Sequence, residues 1–236
     1  MRVTVLELPA RFGRPGEQLA LIDAALAEGL PTSLVVLPEA SLGGYLHEQL
    51  DGSSAPAHEP LEGPTHRALC ALANRHACHV VGPVIEREGE RVFNAIIGVS
   101  PRGERFLHYR KRHPWYPEAW ATPGDLPWPR AQILGCRVTA AICFDVHFLE
   151  GDPSACEALG DSDLLIFPSA WVDAHDTLPD LLGGLSRRFG VHVVNANWGP
   201  GAPALRGQGG SMILSSGGHL RARLAPGAGL RLDVEL

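Results

Sequence analysis

The 236-residue chain has no apolar run long enough to span a bilayer, no extended basic tract and no Cys-x-x-Cys pair. The first absence argues against a membrane-spanning protein. The second, with a formal net charge of −6, argues against a nucleic-acid partner, because Arg110-Lys111-Arg112 is too short to make a cationic surface. The opening residues, Met1-Arg2-Val3-Thr4-Val5-Leu6, carry neither the apolar core nor the cleavage pattern of a signal peptide and read as a first strand, so a cytoplasmic location is expected. The five cysteines, at 70, 78, 136, 143 and 156, are an odd number, which disfavours a disulfide framework and leaves Cys143 free as a thiol in a reducing compartment. Cys70, His76, Cys78 and His79 fit no standard tetrahedral spacing, so no metal and no cofactor is expected.

What is present reads as one globular unit over residues 1–236, with 45% apolar residues and mean hydropathy near zero. Strand-like and helix-like segments alternate, which places the chain in the α/β class. Strands are expected at Val3–Leu8, Leu34–Leu37, Val80–Ile85, Val92–Val99, Arg105–Tyr109, Val138–Ile142, Leu164–Phe167, Val191–Ala196, Ser211–Leu214 and Leu220–Leu224. Helices are expected at Pro15–Glu28, where Leu19, Ile22, Ala25 and Leu26 follow a helical period and Gly29 suits the end, at Thr65–Ala77 and at Leu178–Phe189. The segment Gly199–Pro203 reads as a flexible loop.

Two segments look alike: Ser33–Ala40 matches Asp163–Ala170, with Leu34, Pro38 and Ala40 answered by Leu164, Pro168 and Ala170. Any buried strand before a Pro turn has this form, yet the pair also suggests two pseudo-symmetric halves whose strand ends lie on one edge. In open α/β sheets that edge is where ligands bind. Glu39, Cys143 and Ser169-Ala170-Trp171 all fall at such ends.

An acid, a cation and a thiol in these contexts suit attack on an amide. A neutral thiol needs a base or a positive field; Glu39 is placed to take its proton and pass it to a leaving amine. Lys111 and the backbone N–H of Phe144 would face the oxyanion, and Glu118 would orient Lys111 or the attacking water. Each residue also has a plainer reading: Glu39 as a helix cap before Ala40, Lys111 as a solvated loop charge, Cys143 as a small buried apolar residue.

Glu39, Lys111 and Cys143 in this order resemble the Glu-Lys-Cys set of the nitrilase, or carbon-nitrogen hydrolase, superfamily. The resemblance runs from Met1 to about Gly218 and includes Gly43-Gly44-Tyr45, Phe93-Asn94-Ala95, Pro101-Arg102-Gly103, Gly124-Asp125, Asp145, Glu150, Phe167–Trp171, Asn195-Ala196-Asn197 and Gly209-Gly210-Ser211. It implies a four-layer αββα sandwich that dimerises, with Glu39 as base, Lys111 as stabiliser, Cys143 as nucleophile and Glu118 as second carboxylate. Phe144-Asp145 after the cysteine, where nitrile-cleaving members carry Trp-Glu, favours an amide.

Several positions depart from that pattern. His147 stands where many amidase relatives have Arg, Leu149 where Pro is common and Glu7 where Gln is usual, while the helix before Asn195 carries Gly183-Gly184 and Arg187-Arg188. Without the forked cation of Arg, a carboxylate clamp at position 147 is not expected, although Arg187 or Arg188 would be an alternative source. Tyr45, Trp115, Phe144, His147, Ala170 and Trp171 are the expected pocket lining, with ordinary core filling the alternative for each aromatic. A helix is expected after Cys143, and its Phe148, Leu149 and Leu159 are the residues expected to support a homodimer or higher even assembly. The leading reading is hydrolysis of a small carboxamide through a Cys143 thioester with release of ammonia. N-carbamoyl hydrolysis, acyl transfer, nitrile cleavage and a non-catalytic binding protein are the alternatives.

Overall fold

The computed structural model describes residues 1–46, 55–172, 175–225 and 229–236. Its elements in chain order are β1 Arg2–Leu6, α1 Pro15–Glu28, β2 Leu34–Val36, α2 Pro64–Arg75, β3 His79–Glu88, β4 Arg91–Val99, β5 Arg105–Arg110, β6 Ala131–Ile133 and β7 Cys136–Ala140, then α3 Pro153–Gly160, β8 Leu164–Ser169, α4 Leu178–Phe189, β9 His192–Asn197, β10 Met212–Leu214, β11 Leu220–Arg223 and β12 Arg231–Glu235. A short 3-10 helix, Cys143–His147, follows β7.

The strands form two six-stranded sheets of the same plan, in the orders β12-β1-β2-β3-β4-β5 and β6-β7-β8-β9-β10-β11. In each, three central strands are parallel, one antiparallel strand closes one edge, and an antiparallel hairpin extends the other. The parallel strands need crossovers, which α1 and α2 supply in the first half and α3 and α4 in the second. Thus β2 and β8, the look-alike strands of the sequence, are counterparts at the centres of the two sheets.

Period-two patterning explains the layering. Val3, Val5, Leu34, Val36, Val81 and Ile96 point into one core shared with Val138, Ala140, Leu164 and Ile166 of the second sheet. The alternate residues Val35, Leu37, Val80 and Ile97 pack outward against Ile22 and Leu26 of α1 and Leu69 and Leu72 of α2. Burying Leu69 or Leu72 fully contributes about 1.5–3 kcal/mol each. On the other side, Leu182 and Leu185 of α4 and Ala155 and Leu159 of α3 cover the second sheet. The result is an α/β sandwich, helix–sheet–sheet–helix.

Two strands lie outside the sequence expectation, and the helix expected after Cys143 is interrupted: a 3-10 turn comes first and α3 starts only at Pro153. β6 spans three residues, too short for a period to register. α3 is set by Asp152, which accepts from the N–H groups of Ser154 and Ala155. β12 pairs antiparallel with β1, Val3 opposite Val234, across the whole length of the chain. The first strand is shorter than expected because the chain after Leu6 leaves the sheet. Gly199 N–H donates to Leu8 O, Ala10 N–H to Gly199 O and Ala202 N–H to Ala10 O, so the segment read as a flexible loop is strapped to residues 8–10. Gly29 ends α1 for a different reason than expected: its φ is −90°, and a Cβ there would lie 1.8 Å from the Arg231 guanidinium. That guanidinium donates to Ala25 O and Leu30 O and would have to shift for any larger residue at position 29.

Of the residues expected to support an assembly, Leu149 and Leu159 are buried in the chain's own core, and only Phe148 is exposed. They pack internally because the 3-10 turn and α3 fold back onto the second sheet. No described helix is long and apolar enough to cross a membrane.

Candidate active site

Glu39, Lys111, Glu118 and Cys143 come from four separate parts of the chain and meet at one edge of the sandwich. Glu39 follows β2 and is fully buried, and Ala40 after it takes a left-handed φ of +49°. It caps no helix; Asn94 and Lys111 hold its side chain instead. Lys111 follows β5, its N–H donating to Asn94 O at 2.8 Å and its own carbonyl accepting from Gly124 N–H at 2.8 Å. A Cβ on Gly124 would lie 2.2 Å from Arg110 O, so the Lys111 backbone is held where only glycine fits. Cys143 opens the 3-10 helix with φ of +45°, a conformation that costs a non-glycine residue about 1–3 kcal/mol. Asp145 over-determines that turn: its carboxylate accepts from Ile142 N–H, His113 N–H and the Tyr109 hydroxyl.

The buried charges are joined residue to residue. The Lys111 ammonium donates to Glu39 Oε1 at 2.6 Å and to Glu118 Oε2. Glu118 Oε2 also accepts from Trp115 N–H at 2.8 Å. Asn94 Nδ2 donates to Glu39 Oε1 at 2.7 Å and to Glu118 Oε1. Glu39 Oε2 accepts from Ala170 N–H at 2.8 Å, and the Cys143 thiol lies near enough to Glu39 and to the Ala170 backbone for both to bear on its protonation. Two of the three ammonium donors of Lys111 are taken by carboxylates.

Protonation follows from this arrangement. Burial pushes the Glu39 carboxyl up, Glu118 adds to the rise, and Lys111 opposes it. Burial also pushes the Cys143 thiol well up, with Glu39 adding and Lys111 opposing. For Lys111 burial works against the charge, but Glu39 and Glu118 outweigh it and hold the ammonium well above its ordinary range. Burial thus favours the neutral thiol of Cys143 and makes the Glu39 carboxyl more basic, while Lys111 keeps its charge.

The thiol faces a cavity of about 290 Å³ lined by Trp115, Phe144, His147, Ala170, Trp171, Val172 and Thr177. Five of the six expected lining residues are there. Tyr45 is not: it is buried behind the lysine, its ring 5.7 Å from Nζ and edge-on to Trp198, because the turn after Glu39 carries it into the core. The His147 ring lies between Phe144 and Trp171. Arg188 pairs with Glu150 on the surface, and neither it nor Arg187 lines the cavity. A larger cleft of about 730 Å³ at His108, Arg112, Trp128 and Ser154 has no cysteine among its described lining residues.

Asn94 and Asp145 were noted in the sequence only as family landmarks, and no role was drawn for either. An Asn inside an apolar strand, Phe93-Asn94-Ala95, was the available signal. Among the described residues no group of three or more His, Cys, Asp or Glu is placed to hold a metal. His76 pairs with Asp23, and all five cysteines are free.

Residues 14–228 match the family model for carbon-nitrogen hydrolases. The chain is 26% identical over 184 residues to a hydrolase encoded in the pqqF 5' region of Pseudomonas protegens, covering 77% of this chain and 63% of that protein. It is 32% identical over 151 residues to a nitrilase of Pyrococcus abyssi, covering 63% of this chain and 55% of the nitrilase. The matches thus span somewhat over half the length of these curated relatives. A solved structure of the amidase from Nesterenkonia sp. AN1, with acrylamide added at its active-site cysteine, superposes with a TM-score of 0.86 at 25% identity, covering 100% of this chain and 93% of the other.

Proposed function

The chain belongs to the carbon-nitrogen hydrolase family, and on that premise we propose that it is a thiol amidohydrolase of small carboxamides. One observation carries the reading: Cys143 lines the cavity beside the buried carboxylate of Glu39, near enough for that carboxylate to bear on its protonation, and Glu39 in turn holds Lys111.

Glu39 takes the thiol proton as sulfur attacks the amide carbonyl carbon, and its environment favours accepting it. The oxyanion meets the third ammonium donor of Lys111 and the N–H of Phe144, in the first turn of the 3-10 helix where backbone donors lack intrahelical partners. Glu39 then gives the proton to the departing nitrogen. Ammonia leaves, and the acyl group remains as a thioester on Cys143. Water attacks the thioester with Glu39 again as base, releasing a carboxylic acid and restoring the thiol. Glu118 orients Lys111 throughout.

The cavity, at the lower end of the ~300–1,000 Å³ typical of small-molecule sites, supports a compact acyl group packed against rings. No Lys or Arg is among its described lining residues, which supports a neutral rather than an anionic substrate. The Nesterenkonia amidase favours an amide, and Phe144-Asp145 points the same way. Five free cysteines suit a reducing, cytoplasmic setting. A homodimer would use the exposed face of Trp115, Tyr116 and Phe148. An ammonia-release screen over short amides, carbamoyl amino acids and nitriles tests the reading: release from amides is expected, and release from nitriles alone would overturn it.

A further inference from the structure

Asn94 touches every member of the buried charge cluster except the thiol. Its carbonyl fixes the backbone of Lys111, and its amide nitrogen donates to both Glu39 and Glu118. The residue is 1% exposed, midway along the apolar strand β4. Its Oδ1 is buried with no hydrogen-bond partner among the described residues. An orphaned buried acceptor is costly, and a native structure that keeps one has a use for the rest of the side chain.

The cluster explains the use. Two carboxylates and one ammonium are buried side by side. Lys111 reaches one oxygen of each carboxylate, and the N–H groups of Ala170 and Trp115 give each one backbone donor. A neutral side chain with two N–H groups on one nitrogen, between Glu39 Oε1 and Glu118 Oε1, adds a further donor to each without adding charge. With Oε1 of Glu39 occupied by Asn94 and Lys111, Oε2 is the oxygen that faces Ala170 and the thiol side of the site.

We propose that Asn94 is a positioning residue: its amide clamps Glu39 and Glu118 on either side of Lys111, so that Glu39 stays ionised with Oε2 turned to the Cys143 thiol. The inference rests on the reading of Glu39 as the base for Cys143. The charged and titratable groups facing Glu39 are Lys111, Glu118 and Cys143, with the Tyr45 phenol beside them.

The test compares wild type with Asn94→Ala, Asn94→Leu and the isosteric Asn94→Asp. Hydrogen bonds to an ionised carboxyl favour it, so losing them moves the acid limb of the pH–rate profile to higher pH. The Ala and Leu variants are expected to lose about 10- to 100-fold in kcat, about 1.4–2.7 kcal/mol of barrier, with KM little changed. The Asp variant, adding a third carboxylate, is expected to shift the limb further. Iodoacetamide labelling of Cys143 across pH, read by peptide mass mapping, follows the same limb without any substrate. It therefore distinguishes failure of the clamp from failure of the amidase reading. Folded variants with both pH profiles unmoved would overturn the proposal, as would a drop in melting temperature with kcat unchanged. If the Ala and Leu chains do not fold, the Asp variant decides by the same criteria.

Discussion

Glu39 Oε2 accepts the backbone N–H of Ala170 at 2.8 Å, joining the turn after β2 to the turn after β8. These are the corresponding turns of the two halves, and each follows a central parallel strand. The contact places the carboxylate at the seam of the two sheets. Since Cys143 lies beside both partners, the seam is also where the proposed chemistry would take place.

Replacing Cys143 with Ala removes the nucleophile and leaves the turn, which Asp145 holds. Turnover is expected to fall at least a thousandfold, about 4.1 kcal/mol, with an unchanged circular dichroism spectrum. Intact-mass measurement after substrate addition should show an acyl adduct on the wild type only. Comparable turnover by the variant would rule out the thioester.

Glu39→Gln keeps an oxygen for the Ala170 N–H but loses the base, and a rate loss of about 10²–10⁴ is expected. Lys111→Ala acts differently. It leaves Glu39 and Glu118 buried without their cation, a loss of about 3–5 kcal/mol of stability, in addition to slower turnover. Equal melting curves for the two variants would contradict this division.

Glu86 gives a prediction about acid stability. Burial opposes its ionisation, but hydrogen bonds from His108 and Arg110 prevail and hold its carboxyl down to about 2. Its folded value lies below the unfolded value near 4.5. The stabilisation is therefore complete above about pH 4.5 and lost as pH falls toward 2. Its size is about 3 kcal/mol at most. Urea midpoints should fall over that window, and Glu86→Gln should flatten that part of the curve. A midpoint that declines identically in both proteins would show that Glu86 is not the group responsible.

Substrate charge is tested with amide pairs that differ only in a distal carboxylate, at neutral pH. His147 is the cavity's one imidazole among the described lining residues and no guanidinium joins it, so little preference is expected. A hundredfold preference for the charged member, about 2.7 kcal/mol, would mean that the cavity holds a cation.

Light scattering across a concentration series is expected to give a dimer mass, and Tyr116→Asp or Phe148→Asp should weaken the association. A monomer mass throughout would remove the assembly proposal.

Local pattern determined most of the secondary structure. Largely apolar runs such as Leu34–Leu37 and Val92–Val99 lie where strands form, and the helical period after Pro15 gives α1 its full range, Pro15–Glu28. The repeated Leu-x-x-x-Pro-x-Ala segments already carried the two-fold plan, because both strands must be buried on both faces and both must then turn. The sequence also contained the three chemically distinctive residues at strand ends. Tertiary structure decided what depends on contacts between distant residues. β12 is a strand because β1 offers it an edge; its alternating Leu232 and Val234, with Leu236 after it, pack on the core, a period-two pattern too short to count as a strand without that partner. Leu149 and Leu159 look the same in sequence whether they pack inward or against a second chain, and the fold turned them inward. Tyr45 adjoins Glu39 in sequence, yet its turn sends the ring behind Lys111 instead of into the cavity. Asn94 is one polar residue in a strand until β4 brings it between two carboxylates 55 and 24 residues away. Hydrophobic period is a property of neighbours along the chain, whereas a buried charge cluster is set by partners that only folding brings within hydrogen-bond reach.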